Sequence, residues 1–275
     1  MGLILANIAV RPFIRKFYVG YSMRIKAIAC DVDGTLTDTL WKISSEAVES
    51  IKRAENMGIP VILATARTST FIKELFEEFD FKTSGPIIAE NGGIVVNQKT
   101  GEEVVIGNPE KVKEASRVIM EEAKGLIEMP PENREDKTAR LTDVMVIGRM
   151  EAIKLIQKIA LNHNLGVDLT YAPVLADLEK GIEMSKMRYI IFIKDPKANK
   201  GNGLTLATEM LGIERSEVAA IGDAENDLSM FRAAGYCIAV SNADQALKSM
   251  ANLVTEGSYG KGAKEAIDFV INKLI

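Results

Sequence analysis

Asp31-Val32-Asp33-Gly34-Thr35 is the segment best suited to chemistry. It follows the apolar run Ile25–Cys30, which reads as a short buried strand. Two carboxylates at i and i+2 beyond a strand end can face one site once the chain leaves the pleat. Gly34 lets the backbone turn and brings N–H groups close to an anion. The competing reading is a solvated acidic turn. A second acidic segment, Gly222-Asp223-Ala224-Glu225-Asn226-Asp227, follows the apolar run Val218–Ile221. Its acidic residues stand at a helix start, where they also serve simply as caps. Brought together, aspartates on neighbouring strand ends repel one another unless a cation sits among them. A hard, oxygen-seeking ion such as Mg²⁺ suits carboxylates, a carbonyl and waters.

Thr65 closes a third apolar run, Pro60–Ala64, and its hydroxyl can donate to a phosphate oxygen. Lys200 lies in Asn199-Lys200-Gly201-Asn202-Gly203, just before a helical stretch. A cation facing an acidic site helps when an anion is bound or a carboxylate pairs with it. Taken singly, each of these residues is unremarkable.

The elements that must position them alternate. From Met23 short apolar strands are followed by amphipathic helices, Ser44–Met57 and Thr70–Phe79 among them. This order implies a parallel sheet covered on both faces, an α/β doubly wound, Rossmann-like core. A hairpin over Ile94–Val96 and Val104–Ile106 interrupts it. The texture then changes: helix Pro109–Lys124, a polar irregular stretch to Thr138, strand Leu141–Ile147, helix Glu151–Asn162, and strands Val167–Tyr171 and Met187–Ile193. That is an α+β unit. The first texture resumes after Pro196, with helices expected over Gly203–Leu211, Asp227–Ala234 and Gly262–Leu274. The expected organisation is a core of residues 23–107 and 196–275, with a smaller α+β cap domain at 108–195 inserted into it. Residues 1–22 read as an appendage ahead of a second plausible start at Met23.

Composition limits the chemistry. The chain has 275 residues and a net charge of −4, which argues against a nucleic-acid partner. The single histidine, His163, rules out a metal site built on several histidines. Cys30 and Cys237 cannot form a disulfide framework, so a reducing cytoplasm is the default compartment. No window is apolar enough for a membrane span. Carboxylates and lysine are left to do the proton and charge work.

The arrangement resembles the haloacid dehalogenase superfamily of aspartate-nucleophile phosphatases. Asp31 and Asp33 match its first motif, Thr65 its second, Lys200 its third, and Asp223 with Asn226 and Asp227 its fourth. The inserted unit resembles the superfamily's type-two cap. Within that group, Glu90-Asn91-Gly92-Gly93 and the small cap resemble the archaeal phosphoglycolate phosphatases. Ala66 stands where relatives often have Gly. The resemblance implies that Asp31 attacks phosphorus and that Asp33 acts as acid and then base among its acidic neighbours. It implies Mg²⁺ on Asp31, the Asp33 carbonyl and Asp223, with Asp227 and Asn226 alongside. Lys200 and Thr65 would bind phosphate oxygens, with Asp227 orienting Lys200. The expected substrate is a small phosphorylated metabolite, 2-phosphoglycolate foremost; a sugar phosphate, or binding without turnover, is the alternative. A carboxylate-bearing substrate needs a cation, and Arg140, with Arg134 and Lys137 nearby, is the cap candidate. A homodimer is compatible with this reading.

Overall fold

The computed structural model describes residues 24–38, 42–128, 140–171 and 189–275. Residues 1–23 and 39–41, the stretch carrying Arg134 and Lys137, and residues 187–188 of the last expected cap strand lie outside them.

The larger sheet is built from β1 (Ala27–Asp31), β2 (Val61–Ala64), β3 (Ile87–Ala89), β4 (Ile94–Val96), β5 (Glu103–Val105), β10 (Val218–Gly222), β11 (Tyr236–Ala239) and β12 (Leu253–Val254). Its order is β12-β11-β10-β1-β2-β3-β4-β5. The strands from β12 to β3 are parallel, and β4 and β5 are antiparallel additions. Every residue of β1, β2 and β10 is buried, as strands covered on both faces must be. This is the doubly wound architecture expected. From β1 the chain builds outward to β2 and β3, then returns to place β10 on the other side of β1. The order of strands therefore reverses between β1 and β10, and ligands of such sheets bind outside the carboxyl ends at that point. Asp31 ends β1, and Asp223 follows the last residue of β10.

Helices α1 (Ser45–Asn56), α2 (Ser69–Glu78), α5 (Lys200–Leu211), α6 (Leu228–Ala233), α7 (Gln245–Met250) and α8 (Tyr259–Lys273) accompany this sheet, whereas α3 (Pro109–Glu122) and α4 (Met150–Asn162) accompany the smaller one. Ser44 and Thr68 cap α1 and α2 by accepting from Ala47 N and Phe71 N. Helix α5 begins at Lys200 rather than Gly203, because the Asn199 side chain accepts from Asn202 N at 3.0 Å. Helix α8 begins at Tyr259, ahead of two glycines. Those glycines permit close packing: a Cβ at Gly260 would collide with Ser44, and one at Gly262 with the Gly257 carbonyl. The helix expected over Asp227–Ala234 is α6, one residue shorter at each end, and a 3₁₀ turn, Glu225–Asp227, precedes it.

The second sheet is antiparallel, β6 (Ile127–Glu128), β7 (Asp143–Gly148), β9 (Tyr189–Lys194) and β8 (Gly166–Tyr171) in that order. Strand β6 carries no apolar pattern long enough to announce it. One face of the sheet packs against α3 and α4 through Val146, Ile191 and Ile193, forming a core of its own. The opposite face presents a cluster of Ile147, Ile190 and Phe192, against which Met145 and, from the first sheet's loop, Ala66 pack. Burying an Ile or Phe side chain is worth about 1.5–3 kcal/mol. The Ala66 methyl, absent from a glycine, takes part in this contact. Among the described residues no helix is long and apolar enough to cross a membrane.

Candidate active site

Asp31, Asp223 and Asp227 come together at the reversal point, each offering a carboxylate oxygen within 4.8 Å of the others'. Asp31 is buried, and its Oδ1 accepts a short hydrogen bond from Lys200 Nζ. Its Oδ2 has no hydrogen-bond partner among the described residues. Asp227 is fully buried; its Oδ1 accepts from Lys200 Nζ at 2.6 Å, and its Oδ2 from the backbone of Asp223 and Ala224 at 3.0 and 3.2 Å. Asp223 Oδ1 accepts from the Thr35 hydroxyl at 3.2 Å. Gly34 has φ +86°, and a Cβ there would collide with the Asp223 carboxylate. Both properties require glycine at this position.

The electrostatics follow from burial. Burial first, then Asp227, pushes the Asp31 carboxyl well above the ordinary carboxylate range, with Lys200 opposing. The same two causes raise Asp223 to about 7. Burial works against the charge on Lys200, but Asp227 and then Asp31 outweigh it and hold the ammonium above its usual value. Three carboxylates therefore share one buried cation. This is an all-oxygen set short of positive charge, with one bare buried oxygen on Asp31. A hard divalent ion such as Mg²⁺ fits that deficit. Cys30 beside Asp31 is a core residue whose thiol burial pushes up, with Asp31 adding to the effect.

Asp33 is not a member of this trio and is engaged instead by Arg67. Its Oδ1 and Oδ2 accept from Arg67 Nε at 3.0 and 3.1 Å, and its Oδ1 lies 2.8 Å from Arg67 Nη2. The neighbour of its carboxylate is thus a cation, not the acidic group expected. Thr65 is fully buried, and its hydroxyl donates to Asp33 Oδ2 at 3.2 Å. Asn226 donates through its amide to Asn91 Oδ1 at 3.3 Å. Arg140 reaches the loop after Thr65, where its Nη2 donates to the Ala66 carbonyl. The same guanidinium is paired with Asp143, at 2.9 Å from Nη2 to Oδ2, so Arg140 is engaged by a carboxylate of its own segment. Arg67 was missed as a functional residue, although its place two residues after Thr65, on the same strand end, was a usable signal. Asp143 lies three residues from its partner Arg140, a usable local signal, whereas Glu90, noted only as part of Glu90-Asn91-Gly92-Gly93, has side-chain partners at Leu141 and Thr142 that are distant in sequence.

The family profile of the haloacid dehalogenase-like hydrolases matches residues 28–129 and 119–267. The chain belongs to this family and is a hydrolase. It is 36% identical over 246 residues to a phosphoglycolate phosphatase of Archaeoglobus fulgidus, a match covering 89% of this chain and 96% of that one. A phosphoglycolate phosphatase of Methanothermobacter thermautotrophicus is 34% identical over 244 residues, covering 88% and 97%. Among solved structures, Thermoplasma acidophilum 0175 shares the fold with a TM-score of 0.73 at 24% identity, over 92% of this chain and all of that one.

Proposed function

We propose that this hydrolase is a Mg²⁺-dependent phosphomonoesterase that converts 2-phosphoglycolate to glycolate and phosphate through an aspartyl-phosphate on Asp31. The observation that carries this reading is the buried Asp31, with Lys200 on one oxygen and the other bare, at the reversal point of the sheet. The substrate is supported by the relatives' names, and the cytoplasm is where we place the reaction.

An Asp31 oxygen attacks phosphorus, and the ester P–O bond breaks. Asp33, having taken a proton from solvent on the oxygen it frees from Arg67, passes that proton to the departing glycolate oxygen. Asp33 then takes a proton from the water that attacks the aspartyl-phosphate, which releases phosphate and restores Asp31. Lys200, held by Asp227, keeps Asp31 oriented and offers positive charge to the transferring group. The Thr65 hydroxyl and the Asn226 amide are the further polar groups we assign to the phosphate. Asp31, Asp223 and Asp227, with the Asp33 carbonyl, are the residues that would hold Mg²⁺, which when bound neutralises charge on the phosphate. Residues 108–195 are read as the cap that lies over this site and chooses the substrate.

Initial rates on 2-phosphoglycolate and a panel of phosphosugars, with Mg²⁺ and with EDTA, test this. The expected result is a kcat/KM at least about tenfold higher for 2-phosphoglycolate, a difference of about 1.4 kcal/mol, abolished by EDTA. Preference for a phosphosugar would replace the substrate assignment, and full activity in EDTA would remove the metal.

A further inference from the structure

Glu90-Asn91-Gly92 is a turn of three successive residues with positive φ, +47°, +55° and +93°. Asn and Gly tolerate this conformation, but the Glu90 side chain disfavours it, so the surroundings must hold it there. The turn hangs on the catalytic loop: Glu90 N donates to the Arg67 carbonyl at 2.8 Å, and Asn91 N to the Thr65 carbonyl at 3.0 Å. A Cβ at Gly92 would collide with the Asn199 carbonyl beside Lys200.

This conformation aims the Glu90 carboxylate at the second sheet. Glu90 is buried, and its Oε2 accepts from Leu141 N at 3.0 Å, Thr142 N at 2.7 Å and Thr142 Oγ1 at 2.7 Å. Such charge-assisted bonds are stronger than neutral ones. Gly93 lies so close to the Thr142 side chain that a Cβ would collide with it. Asn91 continues the junction, donating to Asp143 Oδ2 at 3.4 Å and accepting from Asn226. The segment held in this way is the one that carries Arg140 to the Ala66 carbonyl.

We propose that Glu90 is a positioning residue for substrate selectivity: it clasps residues 140–143 to the catalytic loops and so sets where Arg140 stands relative to Thr65. The inference rests on the proposed reading in one respect, that a carboxylate-bearing substrate profits most from the placement of Arg140. Losing Glu90 leaves the buried Thr142 N and Oγ1 donors, and the Leu141 N–H beside them, without their acceptor. Thr65, Lys200 and the acidic trio keep their own partners.

The test uses the full chain as Glu90→Ala, which removes the acceptor, as Thr142→Val, which removes the hydroxyl on the other side, and as the double variant. Amide hydrogen exchange at Leu141 and Thr142 should rise at least about tenfold in Glu90→Ala. Unchanged exchange there would overturn the clasp. The kcat/KM for 2-phosphoglycolate should fall about tenfold or more in Glu90→Ala and less in Thr142→Val, chiefly through KM. Turnover of p-nitrophenyl phosphate, which lacks a carboxylate, should stay within about threefold. The double variant should be no worse than Glu90→Ala alone, because the Thr142 hydroxyl has already lost its acceptor there. Parallel loss on both substrates, or multiplicative loss in the double variant, would overturn the selectivity role. A wild-type chain that does not turn over 2-phosphoglycolate, with exchange still rising in Glu90→Ala, would remove the substrate reading and leave the clasp standing.

Discussion

The Lys200 ammonium lies between Asp31 and Asp227, 2.6 Å from the latter's Oδ1, with no exposed side-chain surface. A lysine is expelled from a protein interior unless its charge is paired. Here two carboxylates from different strand ends supply the pairing, and the lysine in turn fixes the direction of the Asp31 side chain. One cation thus ties together β1, the start of α5 and the turn after β10.

Removing that cation should cost both stability and activity. Breaking a buried pair on one side costs about 3–5 kcal/mol, because the partner charges are left uncompensated. Lys200→Ala should therefore lower the urea midpoint markedly and raise KM for phosphate esters. Unfolding curves that superimpose on the wild type would contradict the buried pair.

Metal and pH should be linked. Burial and then Asp227 raise Asp31 well above the ordinary range and Asp223 to about 7. These folded values exceed the unfolded ones near about 4, so the metal-free fold holds more protons than the unfolded chain between them. The contribution of Asp223 to stability is most favourable below about pH 4 and is lost as the pH rises through about 7, and that of Asp31 is likewise lost as the pH rises. A bound divalent ion replaces those protons. Mg²⁺ should accordingly raise Tm more at about pH 8 than at about pH 5. Equal shifts at the two pH values would count against the acidic trio as the metal site.

Gly34 offers a substitution directed at the same trio. Alanine there is strained at φ +86° and collides with Asp223. Gly34→Ala should raise the Mg²⁺ concentration needed for half-maximal activity at least about tenfold, a loss of about 1.4 kcal/mol. Titrating Mg²⁺ against initial rate measures this, and an unchanged midpoint would detach Gly34 from the site.

Arg67 should act on Asp33. Its guanidinium holds both carboxylate oxygens and stacks over the Phe71 ring at 4.0 Å. Lysine cannot reproduce this fork, so Arg67→Lys should behave much like Arg67→Ala. Both should lower kcat on an alkyl phosphate by about tenfold or more, equal to about 1.4 kcal/mol in the barrier. A lysine variant with wild-type kcat would show that the bidentate geometry is unimportant.

The frame of the site was legible because apolar runs end in acidic residues at Asp31 and Asp223, and such strand ends belong to one edge of a parallel sheet. The partners of the side chains were not. That Asp33 turns to Arg67, that Lys200 is buried between two aspartates, and that Glu90 reaches Thr142 are facts of tertiary placement. Glu90-Asn91-Gly92-Gly93 was noticed only as a resemblance; the contacts of Glu90 were not legible, since nothing about a glutamate announces a positive φ. The early start of α8 was hidden for a related reason: glycine reads as a helix breaker, whereas Gly260 and Gly262 permit close packing.

The account stands or falls on Asp31 as the group that receives the phosphoryl group. Initial rates of wild type and Asp31→Asn on 2-phosphoglycolate in Mg²⁺, with circular dichroism to confirm the fold, address it most directly. The expected result is a loss of more than about 10³-fold, about 4 kcal/mol in the barrier, with the spectrum retained. A folded Asp31→Asn protein that still hydrolyses the ester at a tenth of the wild-type rate or faster would contradict it.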